Sequence, residues 1–278
     1  MLTAVVAGSA YFWFHHRTPP PPTVEALFRG VRYARSLRTE PRPVVIHVVT
    51  VELDTPGLAF FVTPGDPAQA LPLRARTTSD FLEEFHLQVA INGDFFDPWF
   101  SHHPLSFFPR SGDAVKVSGP AISSGTRYSV GDERLQTLRF SRAQRPSFTL
   151  PLDEAYNAIS GERLVSEGAP DIASYHDVNG RQPRSAVGLD RDEKRLFLFV
   201  VDGRQPSYSE GMNLHDLAAL AIEAGAFTAM NLDGGGSSAL VVEGEKGEPR
   251  KLGSSIHTRI PYRERPVANH LGIFAPQR

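Results

Sequence analysis

Residues 185–201 read Ser-Ala-Val-Gly-Leu-Asp-Arg-Asp-Glu-Lys-Arg-Leu-Phe-Leu-Phe-Val-Val, and this stretch decides the fold. Two apolar runs, Ser185 to Leu189 and Arg195 to Val201, flank the charged turn Asp190 to Lys194, which is the pattern of a β-hairpin. The second run is apolar at consecutive positions from Leu196 onward, so both of its faces need cover. It is therefore predicted to be a central strand of a sheet.

Similar patterns lie on both sides of the hairpin. The predicted elements are the strands Val44 to Leu53 and Leu58 to Val62 around the turn Asp54 to Gly57, a capped helix from Thr77 to Phe85, a strand from Val89 to Ile91, a hairpin or two short strands between Gly112 and Ser129, a helix from Asn213 to Ala224, a hairpin from Ala239 to Leu252 and a last strand from Val267 to Phe274. Asn213 is the expected N-cap, with Asp216 in a box-like arrangement, and Gly225 follows the helix end. The sequence predicts an α+β fold: one domain, about Pro43 to Pro276, built on a large mixed β-sheet with a few helices packed on it.

Residues 1–22 are predicted to be separate from this domain. The run Leu2 to Phe14 has the length of a signal-peptide core and is short for a membrane span, and the proline tract Pro19 to Pro22 follows it. A basic leading region and a clear cleavage site are missing, so a weak signal anchor and a start site assigned too late stay open, as does an N-terminal arm packed on the core. We expect an exported protein: periplasmic, extracellular or anchored to a membrane by its N-terminus.

The composition excludes several classes of function. The chain has 278 residues with 41% apolar residues, 29 Lys and Arg and 31 Asp and Glu, so there is enough material for a core and no global field for a nucleic acid partner. The absence of cysteine excludes disulfides, thiolate metal sites and a cysteine nucleophile. Zinc-protease, P-loop, nucleophile-elbow and dinucleotide motifs are also missing, and no organic cofactor is expected.

Three groups of polar residues each begin where an apolar strand is predicted to end. They are Asn92 and Asp94 after Val89 to Ile91, Asp202 and Arg204 after Leu196 to Val201, and Asp233 after Ala229 to Leu232. If those strand ends share one edge, the side chains meet in a cleft there. Arg184, before the strand Ser185 to Leu189, can reach a phosphate or carboxylate with its planar fork. Taken singly, each residue is equally well explained by an ordinary turn, a cap or a solvated strand end.

The segment after Asp233 is Gly234-Gly235-Gly236-Ser237-Ser238. Consecutive glycines let the backbone take positive φ and let a ligand approach its N–H groups, so this loop can cradle an anion while Asp233 faces the same ligand. A tight turn without a ligand is the alternative interpretation.

An aromatic loop follows Asp97. Trp99, Phe100, Phe107 and Phe108 could form a sugar-stacking wall or pack onto the core. The adjacent residues His102 and His103 are weaker candidates for ligands or proton carriers, because neighbours on a strand point in opposite directions.

Together these segments resemble the phosphodiester glycosidase family, which includes an enzyme that removes N-acetylglucosamine from a phosphodiester. The matching motifs are Ile91-Asn92-Gly93-Asp94-Phe95-Phe96, Pro183-Arg184-Ser185-Ala186-Val187-Gly188, Val201-Asp202-Gly203-Arg204, Gly211-Met212-Asn213-Leu214, Asn231-Leu232-Asp233-Gly234-Gly235-Gly236-Ser237 and the closing Arg265-Pro266-Val267-Ala268-Asn269. The resemblance implies hydrolysis of a sugar 1-phosphodiester at its glycosidic bond. The residues it implies around the site are Asn92, Gly93, Arg184, Asp202, Asp233, Gly234, Gly235, Gly236, Ser237, Ser238 and Asn269. Asp94 departs from the family, where many relatives carry glycine, and the cysteines and C-terminal sorting elements of the animal enzyme are absent.

The chemistry expected of these residues is charge neutralisation and carboxylate catalysis. A phosphomonoester is a good leaving group, so the site needs cations on the phosphate more than a strong general acid, and Arg184, Arg204 and the N–H groups of Gly234 to Ser237 suit that role. Asp233 is the first candidate for the catalytic carboxylate and Asp202 the second, with their roles as nucleophile or base left open. Asp94, Asp202 and Asp233 together could also hold Ca²⁺ or Mg²⁺. A metal-dependent phosphodiesterase and a non-catalytic module for glycan binding or exopolysaccharide assembly are the alternative functions.

Overall fold

The structure, a computed structural model, describes residues 17–98, 107–173 and 178–278. The run Leu2 to Phe14 and residues Trp99, Phe100, His102 and His103 lie outside these ranges, so the predictions made on them stay predictions. Within the described ranges no helix combines the length and the apolar character that crossing a bilayer requires.

A twelve-stranded main sheet forms the largest layer. Its strands are β1 (Thr23–Phe28), β2 (Val31–Arg38), β3 (Val44–Glu52), β9 (Ala121–Ser123), β10 (Thr126–Ser129), β11 (Gln136–Phe140), β12 (Pro146–Ser147), β13 (Asn157–Ser166), β14 (Ala169–Ala173), β15 (Arg184–Leu189), β16 (Arg195–Val201) and β17 (Thr228–Asn231). The order is β1-β2-β3-β16-β15-β17-β13-β11-β12, with β14 and β9 against β13 and β10 against β9.

Two smaller sheets complete the β-structure. A five-stranded sheet has the order β19-β18-β6-β20-β4, and a three-stranded sheet has the order β5-β8-β7. Their strands are β4 (Ala59–Val62), β5 (Leu73–Arg74), β6 (Val89–Asn92), β7 (Phe96–Asp97), β8 (Ala114–Val117), β18 (Leu240–Glu243), β19 (Pro249–Lys251) and β20 (His270–Phe274). The described helices are α1 (Thr78–Glu84) and α2 (Leu214–Glu223), with 3₁₀ turns at Leu152–Glu154, Gly235–Ser237 and His257–Arg259.

Strand β16 is buried on both faces, as its sequence predicted. Leu196, Leu198 and Val200 belong to the core between the main sheet and the five-stranded sheet. The alternate residues Phe197 and Phe199 pack on the opposite face with the apolar side of α2. Helix α1 covers the outer face of the five-stranded sheet, so the layers run α2, main sheet, second sheet, α1.

The α+β class is confirmed, with the molecule largely β. The expectation of a mixed sheet is wrong, because every strand pair in the described ranges is antiparallel. The chain mostly returns through hairpins and by switching sheets, and the parallel strands β16 and β17, which α2 connects, do not pair because β15 lies between them. The segments on either side of the turn Asp54 to Gly57 illustrate the switch, since β3 enters the main sheet and β4 the second sheet.

The main sheet also begins before the expected domain bound at Pro43. Strands β1 and β2 form its edge, and β2 pairs along its whole length with β3. The exposed positions of this edge are Val24 and Ala26 on β1 and Arg32 and Ser36 on β2. Charged and small residues interrupt the apolar residues of both strands, so a search for apolar runs did not find them.

The capping of α1 gives a stability prediction. The Thr77 hydroxyl accepts a hydrogen bond from the Asp80 backbone N–H (3.1 Å), and the Asp80 carboxylate accepts one from the Thr77 N–H (3.3 Å). Thr77→Ala removes the first bond, and we expect it to lower the free energy of unfolding by about 1 kcal/mol. Urea denaturation measures the loss, with Thr126→Ala at an exposed strand position as the control. Equal stability of the two variants would contradict the capping role.

Candidate active site

The topology brings three of the predicted polar segments to one edge of the main sheet. Strands β16 and β17 both pair antiparallel with β15, so they run in the same direction on either side of it. Both therefore end beside the start of β15, where Arg184 pairs with Val201. The segment after β6 reaches the same edge from the second sheet and contacts the segment after β17.

Asn92 joins these segments through its side-chain amide. Its Nδ2 donates to the carbonyl oxygen of Asp233 (2.7 Å). Its Oδ1 accepts from the Ser185 hydroxyl (2.7 Å) and from the backbone N–H of Ala239 (3.1 Å). Asn92 was predicted to bind substrate. It is fully buried, and its side chain instead holds the loop that follows β17.

Gly93 and Asn269 brace the same loop. The Gly93 N–H donates to the Asn269 carbonyl (2.9 Å), and the Asp233 N–H donates to the Gly93 carbonyl (3.1 Å). A Cβ on Gly93 would lie 2.3 Å from Oδ1 of Asn269, so only glycine permits this approach. That Oδ1 accepts from the backbone N–H of Asp94 (2.8 Å).

A cavity of about 240 Å³ lies on the outer side of this loop. The residues that line it are Phe95, Phe108, Glu162, Gln182, Arg184, Arg204, Asn231, Asp233, Gly234, Gly235, Gly236 and Arg265. The predicted residues Arg184, Arg204, Asp233 and the three glycines are thus brought together. The other predicted site residues, which do not line the cavity, are Asn92, Gly93, Asp94, Asp202, Ser237, Ser238 and Asn269.

Arg184 and Arg204 are each fixed by hydrogen bonds to neighbouring groups. Arg184 donates from Nε to the Met212 carbonyl (3.0 Å) and from Nη2 to the Gly180 carbonyl (2.8 Å). Arg204 donates from Nη2 to Oε1 of Gln182 (2.7 Å), and burial lowers its pKa.

Arg265 is a third guanidinium in the cavity and was not predicted. It donates from Nη1 to the Ser237 hydroxyl (3.1 Å) and from Nε to Nδ1 of His257 (3.3 Å), and its Cζ lies 4.2 Å from the centre of the Phe108 ring. Burial lowers the pKa of Arg265 to about 10, and the charge of Asp233 opposes that shift. Burial and the neighbouring arginines lower the pKa of His257 to about 4, so at neutral pH His257 is uncharged and can accept this bond.

The glycine loop is shaped by the arginines above it. Gly235 has φ +61°, and a Cβ on Gly236 would lie 2.5 Å from Nη2 of Arg265. The protein itself uses two of the N–H groups from Gly234 to Ser237, which the sequence suggested for binding a phosphate. The Gly235 N–H donates to the Pro183 carbonyl (2.8 Å) and the Ser237 N–H to the Gly234 carbonyl (3.1 Å), because the loop closes as a 3₁₀ turn. At most Gly234 and Gly236 keep their N–H groups for a ligand, so arginine side chains are the main cations.

Asp202 is buried away from the cavity. Its carboxylate accepts from Nε2 of His47 (3.0 Å) and from the Tyr208 hydroxyl (3.0 Å) through Oδ2, and from the Ser254 N–H (2.8 Å) through Oδ1. Three partners fix it as a junction between β3, the end of β16 and the segment before the last 3₁₀ turn. The structure therefore does not place this second candidate beside Asp233 in the cavity.

The proposed metal triad is not assembled either. Across residues 17–98, 107–173 and 178–278, no group of three or more His, Asp or Glu side chains is placed to hold a metal ion. Asp94 is buried among neutral partners, where Oδ1 accepts from the Ser160 N–H (2.9 Å). Burial raises the pKa of Asp94 to about 8, so it is largely protonated at neutral pH.

Glu162 and Asn231 also line the cavity and escaped the sequence analysis. They face each other on the paired strands β13 and β17, and Nδ2 of Asn231 donates to Oε2 of Glu162 (3.1 Å). Glu162 lies in the middle of β13, where Ser160 and Arg163 also interrupt the apolar residues, so a search of strand ends did not include it. Arg265 belongs to the same closing motif as Asn269, but only Asn269 was predicted from it as a site residue.

Comparisons with known proteins find several relatives of this chain. The phosphodiester glycosidase family model matches residues 85–274. A SPbeta prophage-derived uncharacterized protein of Bacillus subtilis is 38% identical over 226 residues, which is 69% of this chain and 34% of that protein. Mouse N-acetylglucosamine-1-phosphodiester alpha-N-acetylglucosaminidase is 42% identical over 67 residues, which is 24% of this chain and 12% of the mouse protein. The chain thus spans about a third or less of these relatives.

A solved structure shares the fold. The catalytic domain of the zebrafish N-acetylglucosamine-1-phosphodiester alpha-N-acetylglucosaminidase superposes with a TM-score of 0.63 and 22% identity, and the match covers 93% of this chain and 85% of that domain. At this identity the match shows the architecture, and the residues of the cavity must be argued from their own geometry.

The raised pKa of Asp94 predicts a pH-dependent stability. Below about pH 4 the carboxyl is protonated in both folded and unfolded states, and as the pH rises towards about 8 only the unfolded state ionises. The native protein therefore loses stability over this window, and Asp94→Asn, which keeps the acceptor for Ser160, removes the loss. We expect the variant to match wild type near the acid end and to exceed it by a few kcal/mol at the alkaline end. Denaturation at a series of pH values measures the difference in the free energy of unfolding between Asp94→Asn and wild type. Asp192→Asn at an exposed position corrects for the change in net charge. A stability difference that does not change with pH would contradict the prediction.

Proposed function

This chain belongs to the phosphodiester glycosidase family, and on that premise we propose that it hydrolyses the glycosidic bond of a sugar 1-phosphodiester. The products are the free sugar and a phosphomonoester. The substrate is a glycan or glycolipid of the cell envelope or the extracellular space, in keeping with the apolar N-terminal run that led us to expect export.

The observation that carries the proposal is the pairing of cations and a carboxylate in one cavity. Arg184, Arg204 and Arg265 line it together with Asp233. Guanidinium forks bind phosphate oxygens well, and few other substrate groups require three of them. A sugar 1-phosphodiester would use both kinds of group. Its phosphate would bind the arginines, and its electrophilic anomeric carbon would lie beside the carboxylate of Asp233.

The reaction breaks the bond between the anomeric carbon and the phosphate oxygen. The phosphate oxygen keeps the electron pair, and the arginines stabilise the additional negative charge that develops on it. The anomeric carbon gains oxocarbenium character, which the Asp233 carboxylate can stabilise directly, by attack, or by accepting a proton from the incoming water. The water oxygen ends on the sugar, and its proton is released to the carboxylate or the solvent.

The loop geometry suits Asp233 to this role. Its backbone N–H and carbonyl are both held by the segment after β6, through Gly93 and Asn92. The side chain is therefore presented from a fixed backbone, which reduces the cost of orienting it in the transition state.

Replacement of Asp233 tests the reaction. Asp233→Asn keeps the shape of the side chain and removes its charge, and we expect it to lower kcat by at least about 1000-fold with little change in melting temperature. The assay is release of reducing sugar from a panel of sugar 1-phosphodiesters, with and without EDTA, and the exposed Asp192→Asn is the control. The EDTA arm tests the expected use of Ca²⁺ or Mg²⁺.

Hydrolysis in ¹⁸O-labelled water decides which bond breaks. We expect the label in the sugar, because water adds to the anomeric carbon. Label in the phosphomonoester would show P–O cleavage and a phosphodiesterase, and unchanged turnover by Asp233→Asn would exclude Asp233 as the catalytic carboxylate. A protein that binds glycans and hydrolyses none of the panel would support the binding module.

Replacement of Arg265 tests the cation site. Arg265→Lys keeps the charge but loses the fork that reaches Ser237 and the stacking on Phe108. We expect kcat/KM for the phosphodiester to fall by about 100-fold. Arg32→Lys on the exposed face of β2 is the matched control, and equal activity of the two variants would remove Arg265 from the site.

A further inference from the structure

The cavity is lined by groups of different hydrogen-bonding character. Its arginine side chains, here called the arginine wall, only donate, and the paired strands β13 and β17 contribute Glu162 and Asn231, here called the acceptor wall. Glu162 is 1% exposed and Asn231 is 2% exposed, so their polar atoms can be satisfied only by the protein or by a ligand in the cavity.

The contact between these two residues fixes the direction of the amide. A carboxylate can only accept, so the atom of Asn231 that points to Oε2 of Glu162 must be its NH₂ group. Its Oδ1 is then directed elsewhere, and this buried oxygen has no hydrogen-bond partner among the described residues. A buried acceptor without a donor costs free energy, so a site that keeps one is suited to a ligand that supplies the donor.

We infer that Glu162 and Asn231 form the sugar subsite and that they select a sugar whose free hydroxyl groups donate to them. This inference rests on the proposed function, since it takes the arginine wall to be occupied by the phosphate. The cavity of about 240 Å³ is at the small end of ligand sites, which fits a single sugar ring and its phosphate.

Charge balance favours a hydroxyl donor over an ammonium group. The cavity residues supply three guanidinium groups and two carboxylates, which leaves one positive charge. A phosphodiester brings one negative charge and neutralises it, whereas a sugar ammonium would restore an unpaired buried charge. The selected sugar is therefore neutral at the positions that contact Glu162 and Asn231.

A series of deoxy sugars tests the subsite. The substrates are the methyl phosphodiester of the best hexose from the panel above and its monodeoxy analogues. We expect wild type to lose at least about 100-fold in kcat/KM on one analogue, because the missing donor leaves the buried Oδ1 of Asn231 unpaired. If wild type hydrolyses all analogues within about threefold of the parent, the inference is overturned.

Two variants connect that loss to Glu162. In Glu162→Leu the carboxylate acceptor is gone and the Asn231 amide loses the contact that directs its Oδ1, so we expect the discrimination between parent and deoxy sugar to fall below about threefold. In Glu162→Gln the amide of Asn231 can still donate to the new carbonyl, and we expect a discrimination between those of wild type and Glu162→Leu. This variant tests the inference if Glu162→Leu does not fold. The exposed Glu154→Gln is the control and should discriminate like wild type. Full discrimination in folded Glu162→Leu would overturn the assignment.

Binding separates this inference from the proposed function. If the protein hydrolyses no sugar phosphodiester, the proposed function fails. Calorimetry with the free hexoses of the panel and their deoxy analogues still measures whether the subsite binds sugar. A preference for the parent sugar that is reduced in Glu162→Gln would support the acceptor wall. Equal affinity for all the sugars would overturn it.

Discussion

The active-site edge depends on the buried amide of Asn92. This one side chain joins the end of β6, the start of β15, the loop after β17 and the segment before β18 by three hydrogen bonds. Those segments come from two different sheets, which are also joined by apolar packing and by hydrogen bonds farther from this edge, such as the one from Nδ2 of Asn157 to the Phe60 carbonyl. Apolar contact fixes the distance between two sheets but tolerates sliding, whereas a fully buried amide demands its partners in one geometry. The position of Asp233 therefore follows from the hydrogen-bonding needs of a residue that does not line the cavity.

A second constraint is the close packing of arginines over the glycine turn. Guanidinium groups are held near the backbone of Gly235 and Gly236, where any Cβ would displace them. Glycine at these positions therefore leaves room for the guanidinium groups. It does not make all the N–H groups from Gly234 to Ser237 available to a bound anion. Because His257 is neutral, Arg265 can use it as an acceptor while its guanidinium lies over the Phe108 ring, and His257 adds no further positive charge to that of Arg204.

The sequence predicted what local chemistry controls. The cap at Thr77, the cap at Asn213 and the hairpin from β15 to β16 depend on residues close together in the chain, and the structure contains all three. The division of β3 and β4 between two sheets depends on contacts across the core, which no short pattern carries. The same limit applies to the site: Asp233 and Arg184 mark strand ends and could be found, but residues that enter from other segments, such as Arg265 and Glu162, could not.

Asp202 and Asp233 show why identical sequence logic led to different outcomes. Both follow an apolar strand and precede a glycine, and both strands end at the same edge of the sheet. Asp202 meets His47, Tyr208 and the Ser254 N–H, so its acceptor capacity is taken up by the protein. Asp233 is held through its backbone N–H and carbonyl by Gly93 and Asn92, and it lines the cavity with the arginines. A carboxylate such as that of Asp202, whose oxygens already accept three bonds outside the cavity, has little capacity left for a developing cation. The distinction is that one aspartate lines the cavity and the other does not, and that depends on partners as distant in the chain as His47 and Asn92.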